Sequence, residues 1–131
     1  MDAPASALRR QLWRQFRASA SLLRQMTQPA ELIPGSFYLM RRKCGKPSCR
    51  CAKGHLHATY VLTRSEQGKD RLYMVPQEQR AQVRKWAAEY RRYQRARAVL
   101  ARRHVGLLAL VDQMAEQRLL VWPRKKPTAD V

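Results

Sequence analysis

Cys44, Cys49, Cys51, His55 and His57 fall within fourteen residues, Cys44-Gly45-Lys46-Pro47-Ser48-Cys49-Arg50-Cys51-Ala52-Lys53-Gly54-His55-Leu56-His57, and the chain has no other cysteine. Three thiolates and one imidazole make a complete tetrahedral donor set for a structural zinc ion. Cys49-x-Cys51 is tighter than the usual two-residue spacer, but a sharp turn aims both sulfurs inward, and Gly45, Pro47 and Gly54 supply turn chemistry. Either histidine suits the fourth position, since residues two apart on an extended segment point the same way. His57 is preferred because it lies where a strand is expected to begin, leaving His55 as a spare ligand or a phosphate contact. The alternative is three ordinary thiols, or a disulfide and one free thiol. A catalytic zinc keeps an open position beside a general base. No Asp or Glu occurs between Glu31 and Glu66, so a structural site is expected and an enzyme is the least favoured class.

The same loop is basic. Arg41, Arg42, Lys43, Lys46, Arg50 and Lys53 lie in or beside it, and the whole chain of 131 residues carries a formal net charge of +18. Self-repulsion on that scale disfavours a compact monomer and calls for a polyanionic partner. Twenty of the 27 basic residues are arginine, whose forked donor suits phosphates and guanine edges. No apolar run approaches the roughly 20 residues of a membrane span. Met1-Asp2-Ala3-Pro4 lacks the basic start and apolar stretch of a secretory signal. A cytoplasmic, nucleoid-associated protein with reduced cysteines is therefore expected. No nucleotide-binding, dinucleotide-binding or nucleophile-elbow motif is present.

The elements that must hold the loop follow from periodicity. Residues 5–27 predict a helix with Leu8, Leu12, Phe16, Ser19, Leu23 and Met26 on one stripe and most arginines off it. Pro29 and Pro34-Gly35 end it. Residues 36–43 and 58–63 predict strands either side of the cysteine loop, and 71–75 a third after turn chemistry at Ser65–Asp70. Tyr38, Tyr60 and Tyr73 alternate with apolar neighbours, as core or stacking residues do. From Pro76 to about Leu120 the spacing predicts one long helix. Trp86, Tyr93, Leu100, Leu107 and Met114 form one row at sevens, and Val83, Tyr90, Arg97, His104 and Val111 a second, together a coiled-coil-like seam. Its first half carries Arg84, Lys85, Arg91, Arg92 and Arg95; its second half is mostly apolar.

Residues 36–118 resemble a family of small prokaryotic proteins whose signature is Cys-Gly-Lys-x-x-Cys-x-Cys, then His-Gly-Pro-Tyr, then a long basic helix. The first part stands here as Cys44 to Cys51. The second stands as His57-Ala58-Thr59-Tyr60, with Gly-Pro replaced by Ala-Thr. The resemblance implies His57 as ligand, and an accessory role beside a transposase or recombinase of a mobile element.

The reading is an α+β chain in four segments: an N-terminal amphipathic helix (1–30), a zinc-binding three-stranded antiparallel meander (31–76), a long basic helix (77–120) and a basic flexible tail (121–131). Its expected function is non-catalytic, zinc-stabilised DNA binding. Duplex DNA is favoured over RNA, and a protein partner or second copy is expected on the C-terminal helix. The alternatives are a ribosome-associated RNA-binding module and a structural adaptor in a nucleoprotein assembly.

Overall fold

The structure, a computed structural model, describes residues 3–123. The architecture is α+β: a helix, an open three-stranded antiparallel sheet and a long helix. Helix α1 spans Ala5–Met26; strands β1, β2 and β3 span Ser36–Arg42, His57–Glu66 and Lys69–Met74; helix α2 spans Arg80–Glu116. The chain groups into two compact units, one of residues 28–95, the other of α1 with the chain from Ala96 onward. The division follows packing rather than secondary structure, and it cuts α2 between Arg95 and Ala96. The expected tail lies outside the described residues from position 124 onward.

In the sheet unit the strands pair in chain order, β1-β2-β3. Phe37, Leu62 and Tyr73 stand in one row across the sheet, so they share a face; Tyr38, Val61 and Met74 form the adjacent row on the other face. The main buried cluster lies on the first of these faces, where Leu62, Val75, Val83 and Ala87 pack with Ile33 and Phe37, while Val61 on the second is also fully buried. Val83 and Ala87 are one turn apart, so the opening turns of α2 press one stripe onto the sheet. The Ile33 N–H donates to the Trp86 carbonyl at 3.2 Å, tying the preceding linker to that helix. The second hairpin is tighter than the turn expected at 65–70. β2 runs to Glu66 and β3 starts at Lys69, leaving Gln67 (φ 52°) and Gly68 (φ 79°) as the turn. Two consecutive positive φ values match the right-handed twist of the strands, so pairing extends to the tip.

Gly35 enters β1 with φ +135°, and a Cβ there would stand 2.7 Å from the Thr63 carbonyl oxygen. Gly35→Ala meets both a forbidden backbone conformation and a backbone atom that cannot swing aside. A loss of about 2 kcal/mol or more is expected, measured as a lower urea midpoint at unchanged slope. An unchanged midpoint refutes this account of the strand entry.

In the helical unit, Thr27 closes α1, its hydroxyl and its N–H both donating to the Leu23 carbonyl. The two helices run antiparallel: Arg103 Nη1 donates to Gln15 Oε1 at 3.0 Å, and Gln117 Nε2 donates to the Ala3 carbonyl at 2.9 Å. Leu8, Ser19, Ala96 and Leu110 are buried. α2 continues unbroken through Gly106 and ends at Glu116, four residues before the expected Leu120. Bonds spanning three residues, Arg118 N–H to the Ala115 carbonyl and Leu119 N–H to the Glu116 carbonyl, tighten its end. The Trp86-to-Met114 row is partly buried throughout, whereas Arg97, His104 and Val111 of the second row are exposed. A helix with one neighbour buries one stripe, and a row broken by Arg and His is the one left in water.

Candidate metal centre

The first hairpin builds the site. β1 and β2 stay paired down to Arg42 opposite His57, so the 14-residue segment that follows Arg42 begins and ends at one place. Cys44 is two residues past Arg42, one strand period from the residue facing His57. Gly45 (φ +85°) turns the chain back. The Cys49 N–H then donates to the Lys46 carbonyl at 3.1 Å and the Ala52 N–H to the Cys49 carbonyl at 3.1 Å. Residues Arg50–Lys53 make a single tight helical turn, capped by Gly54 at φ +105°. This winding brings the Cys49 and Cys51 sulfurs back to Cys44 and His57.

The donor atoms of Cys44, Cys49, Cys51 and His57 all lie within 4.8 Å of one another. Cys44 Sγ and Cys51 Sγ are 3.4 Å apart, and Cys49 Sγ is 3.2 Å from His57 Nε2. A tetrahedral ion with bonds of about 2.3 Å to sulfur and about 2.0 Å to nitrogen needs edges of roughly 3.8 and 3.5 Å. The two short separations fall within a few tenths of an ångström of such edges, and all four donors are close enough together to hold a metal ion. The three cysteines are free thiols. The Cys44 N–H donates to Cys51 Sγ at 3.2 Å, which orients that sulfur and favours its thiolate. Cys51 is buried, Cys49 partly so, and Cys44 and His57 are exposed. His55 stands outside the four-residue group; its N–H instead donates to the Arg50 carbonyl at 3.3 Å.

Electrostatics favour the charged form at two thiols. The Lys46 N–H, helped by the neighbouring Cys51 and Cys49, holds Cys44 below its ordinary value. The Cys51 N–H lowers Cys49 in the same way, against an opposing push from Cys44. For Cys51 the Cys44 N–H lowers the pKa, but burial and the two nearby thiols outweigh it and the net shift is upward.

A family model described as a domain of unknown function (DUF6788) matches residues 8–85. The chain belongs to the DUF6788 family. No curated protein and no solved structure matches it. The DUF6788 match takes in most of α1, the whole sheet, the complete metal loop and the first turns of α2 as far as Lys85.

Within the DUF6788 region, Lys43, Lys46, Arg50 and Lys53 are exposed on the metal loop, and Arg41 and Arg42 are exposed at the end of β1. Arg42 and Lys43 line a shallow cleft with Cys44, His57 and Thr59. On α2, Arg84, Arg91 and Arg95 are spaced by seven and four and so share one face, with Lys85 and Arg92 beside it; all five are exposed. Arg91, Arg92 and Arg95 lie beyond the DUF6788 match. Arg92 is bonded to Glu89 at 2.8 Å.

One feature escaped the sequence reading. Phe37 and Tyr60 stack at 5.4 Å with rings 7° from parallel, and the guanidiniums of Arg80 and Arg84 lie over this pair, Arg80 4.7 Å from the Tyr60 ring centroid and Arg84 5.3 Å from that of Phe37. Arg80 and Arg84 are one helical turn apart, and Phe37 and Tyr60 share the Leu62 face. The helical spacing of the two arginines was visible in the sequence, but only the packing of the opening turns of α2 on the sheet brings them over the ring pair.

Proposed function

We propose that this chain is a non-catalytic, zinc-stabilised protein that binds duplex DNA through the metal loop and the basic face of α2. The observation that carries the reading is the Cys44–Cys49–Cys51–His57 cluster, formed inside a loop whose exposed charges are all positive. Soft thiolates with one imidazole in tetrahedral array suit zinc above other common divalent ions. Four protein donors fill that geometry, which suits a scaffold and leaves no open position for chemistry. A metal-fixed loop presents Lys46, Arg50 and Lys53 without the entropy cost of ordering them on binding. The aromatic rings under Arg80 and Arg84 restrict those side chains similarly. The resemblance drawn from the cysteine signature is what supports an accessory role beside a transposase or recombinase of a mobile element, and the net charge of +18 is what supports a location on the nucleoid.

The test is fluorescence anisotropy with matched duplex DNA, single-stranded DNA and RNA across a salt series, with metal content read on the same sample. Tight duplex binding, a steep salt slope and one zinc per chain are expected. The combined Lys46→Ala, Arg50→Ala and Lys53→Ala variant should keep its zinc and lower the slope by about three units. Preference for RNA moves the reading to an RNA-binding module. A slope untouched by the triple variant removes the loop from the interface.

A further inference from the structure

We propose that Cys44 and Cys51 are a redox pair: peroxide joins them in a disulfide that expels the metal ion, and a thiol reductant restores the site, a step that rests on the metal reading of the loop and not on nucleic-acid binding.

The thiol chemistry of the chain is confined to this loop, since Cys44, Cys49 and Cys51 are its only cysteines, and all three are free. Two of them differ in reach. Cys44 is exposed and borders an open cleft with Arg42, Lys43, His57 and Thr59. Cys51 is 1% exposed. A small oxidant therefore meets Cys44 first. The Cys51 sulfur lies 3.4 Å from the Cys44 sulfur, and it also accepts the Cys44 N–H at 3.2 Å. An exposed thiol in contact with a shielded one is the arrangement in which a first oxidation is resolved internally as a disulfide. The Cys49 sulfur is engaged on the other side of the cluster, 3.2 Å from His57 Nε2. The cleft residues include two cations and no carboxylate, which favours departure of hydroxide there.

The Cys44 thiolate attacks one oxygen of hydrogen peroxide. The O–O bond breaks, hydroxide leaves, and Cys44 becomes a sulfenic acid. The Cys51 thiolate then attacks the Cys44 sulfur, forming the S–S bond and breaking the S–O bond as a second hydroxide leaves. Two electrons pass from the two sulfurs to the peroxide, which ends as two hydroxides. The disulfide and the metal exclude one another. A disulfide bond is about 2.05 Å long, whereas two sulfurs on one tetrahedral zinc stand roughly 3.8 Å apart. Metal ligation also needs thiolates, and bridging removes two of them, leaving Cys49 and His57 as two donors where a structural site uses four. From the 3.4 Å contact the sulfurs close by about 1.3 Å to bond. The loop has room for this at its two glycine turns, since a Cβ at Gly45 or Gly54 would meet nothing within 4 Å. Loss of the ion frees the loop, so thiol state governs how Lys46, Arg50 and Lys53 are presented.

The experiment treats the zinc-loaded full chain with hydrogen peroxide, stops the reaction with catalase, and reads zinc release and intact mass on one sample. Zinc should leave in step with a mass loss of two hydrogens per chain. Peptide mapping after alkylation should find Cys44 joined to Cys51 and Cys49 alkylated. Dithiothreitol followed by zinc should return the starting mass and metal content. Cys49→Ser keeps the pair and should form the same disulfide without bound zinc, whereas Cys44→Ser should form no disulfide within the chain. Zinc held through excess peroxide overturns the proposal. So do sulfinic or sulfonic acids without a bridge, a bridge through Cys49, and disulfides between chains. Untreated protein without zinc overturns the metal reading, and the expulsion of the ion with it.

Discussion

Cys49→Ser is expected to reduce bound zinc from one ion per chain to a small fraction, and to weaken duplex binding by more than tenfold. Apparent zinc binding at four-donor sites is worth about 10–16 kcal/mol, and three donors that must also order a loop retain little of it. The loop has few other means of support. Its hydrogen bonds are local turns, such as Cys49 to Lys46 and Gly54 to Cys51, and its one buried residue, Cys51, is itself a ligand. Loss of the ion should therefore expose the amides of residues 43–56 to hydrogen exchange while the paired strands keep their protection. Metal release with a thiol-insensitive indicator, together with exchange on the same variant, checks both halves. Stoichiometric zinc in Cys49→Ser overturns the ligand set. Zinc lost with binding intact overturns the scaffold role and leaves the ligand set standing.

Leu62→Ala is expected to destabilise the sheet unit by about 2–5 kcal/mol, the range for deleting a buried leucine. Leu62 is the central-strand member of a small cluster, with Val75, Val83, Ala87, Phe37 and Ile33 around it. Little else can close over the cavity. Against a total stability of about 5–15 kcal/mol, the change takes a large share, and the melting temperature should fall by many degrees. Leu72→Ala is the matched control. It removes the same atoms from β3, but Leu72 is 45% exposed and pairs with Thr63 rather than with Leu62. Its cost should stay near 1 kcal/mol or below. Equal losses in zinc-saturated urea titrations of the two variants would place the core on the wrong face of the sheet.

Much of the fold was legible because its signals are local. The alternation through Phe37 to Met40 and Tyr60 to Leu62, the prolines at 29, 34 and 76, and the long apolar period of α2 each report the conformation of their own segment. The strand ends were less legible. β2 and β3 reach Glu66 and Lys69 because Gln67 and Gly68 take positive φ together, and a run such as Ser-Glu-Gln-Gly-Lys-Asp accommodates several turns until pairing selects one.

The ligand types were legible too, since three thiols in eight residues leave little other use for themselves. His55 and His57 were equivalent in parity, and the choice between them depends on where β2 begins. Pairing with Arg42 fixes His57 at the loop mouth, while His55 is consumed by the capped turn before it. On α2 the two heptad rows looked like one seam, and their periodicity could not say how many neighbours the helix has. Thus residue types and spacing by themselves determined a Cys3His loop bearing positive charge between two strands, with a helix before and a long helix after. The tertiary structure alone decided which histidine joins the sulfurs, that the Trp86 row of α2 is partly covered throughout while the second row is covered only at Val83 and Tyr90, and that one helix serves two separate units. Those choices rest on distances between residues far apart in the chain, which no local pattern encodes.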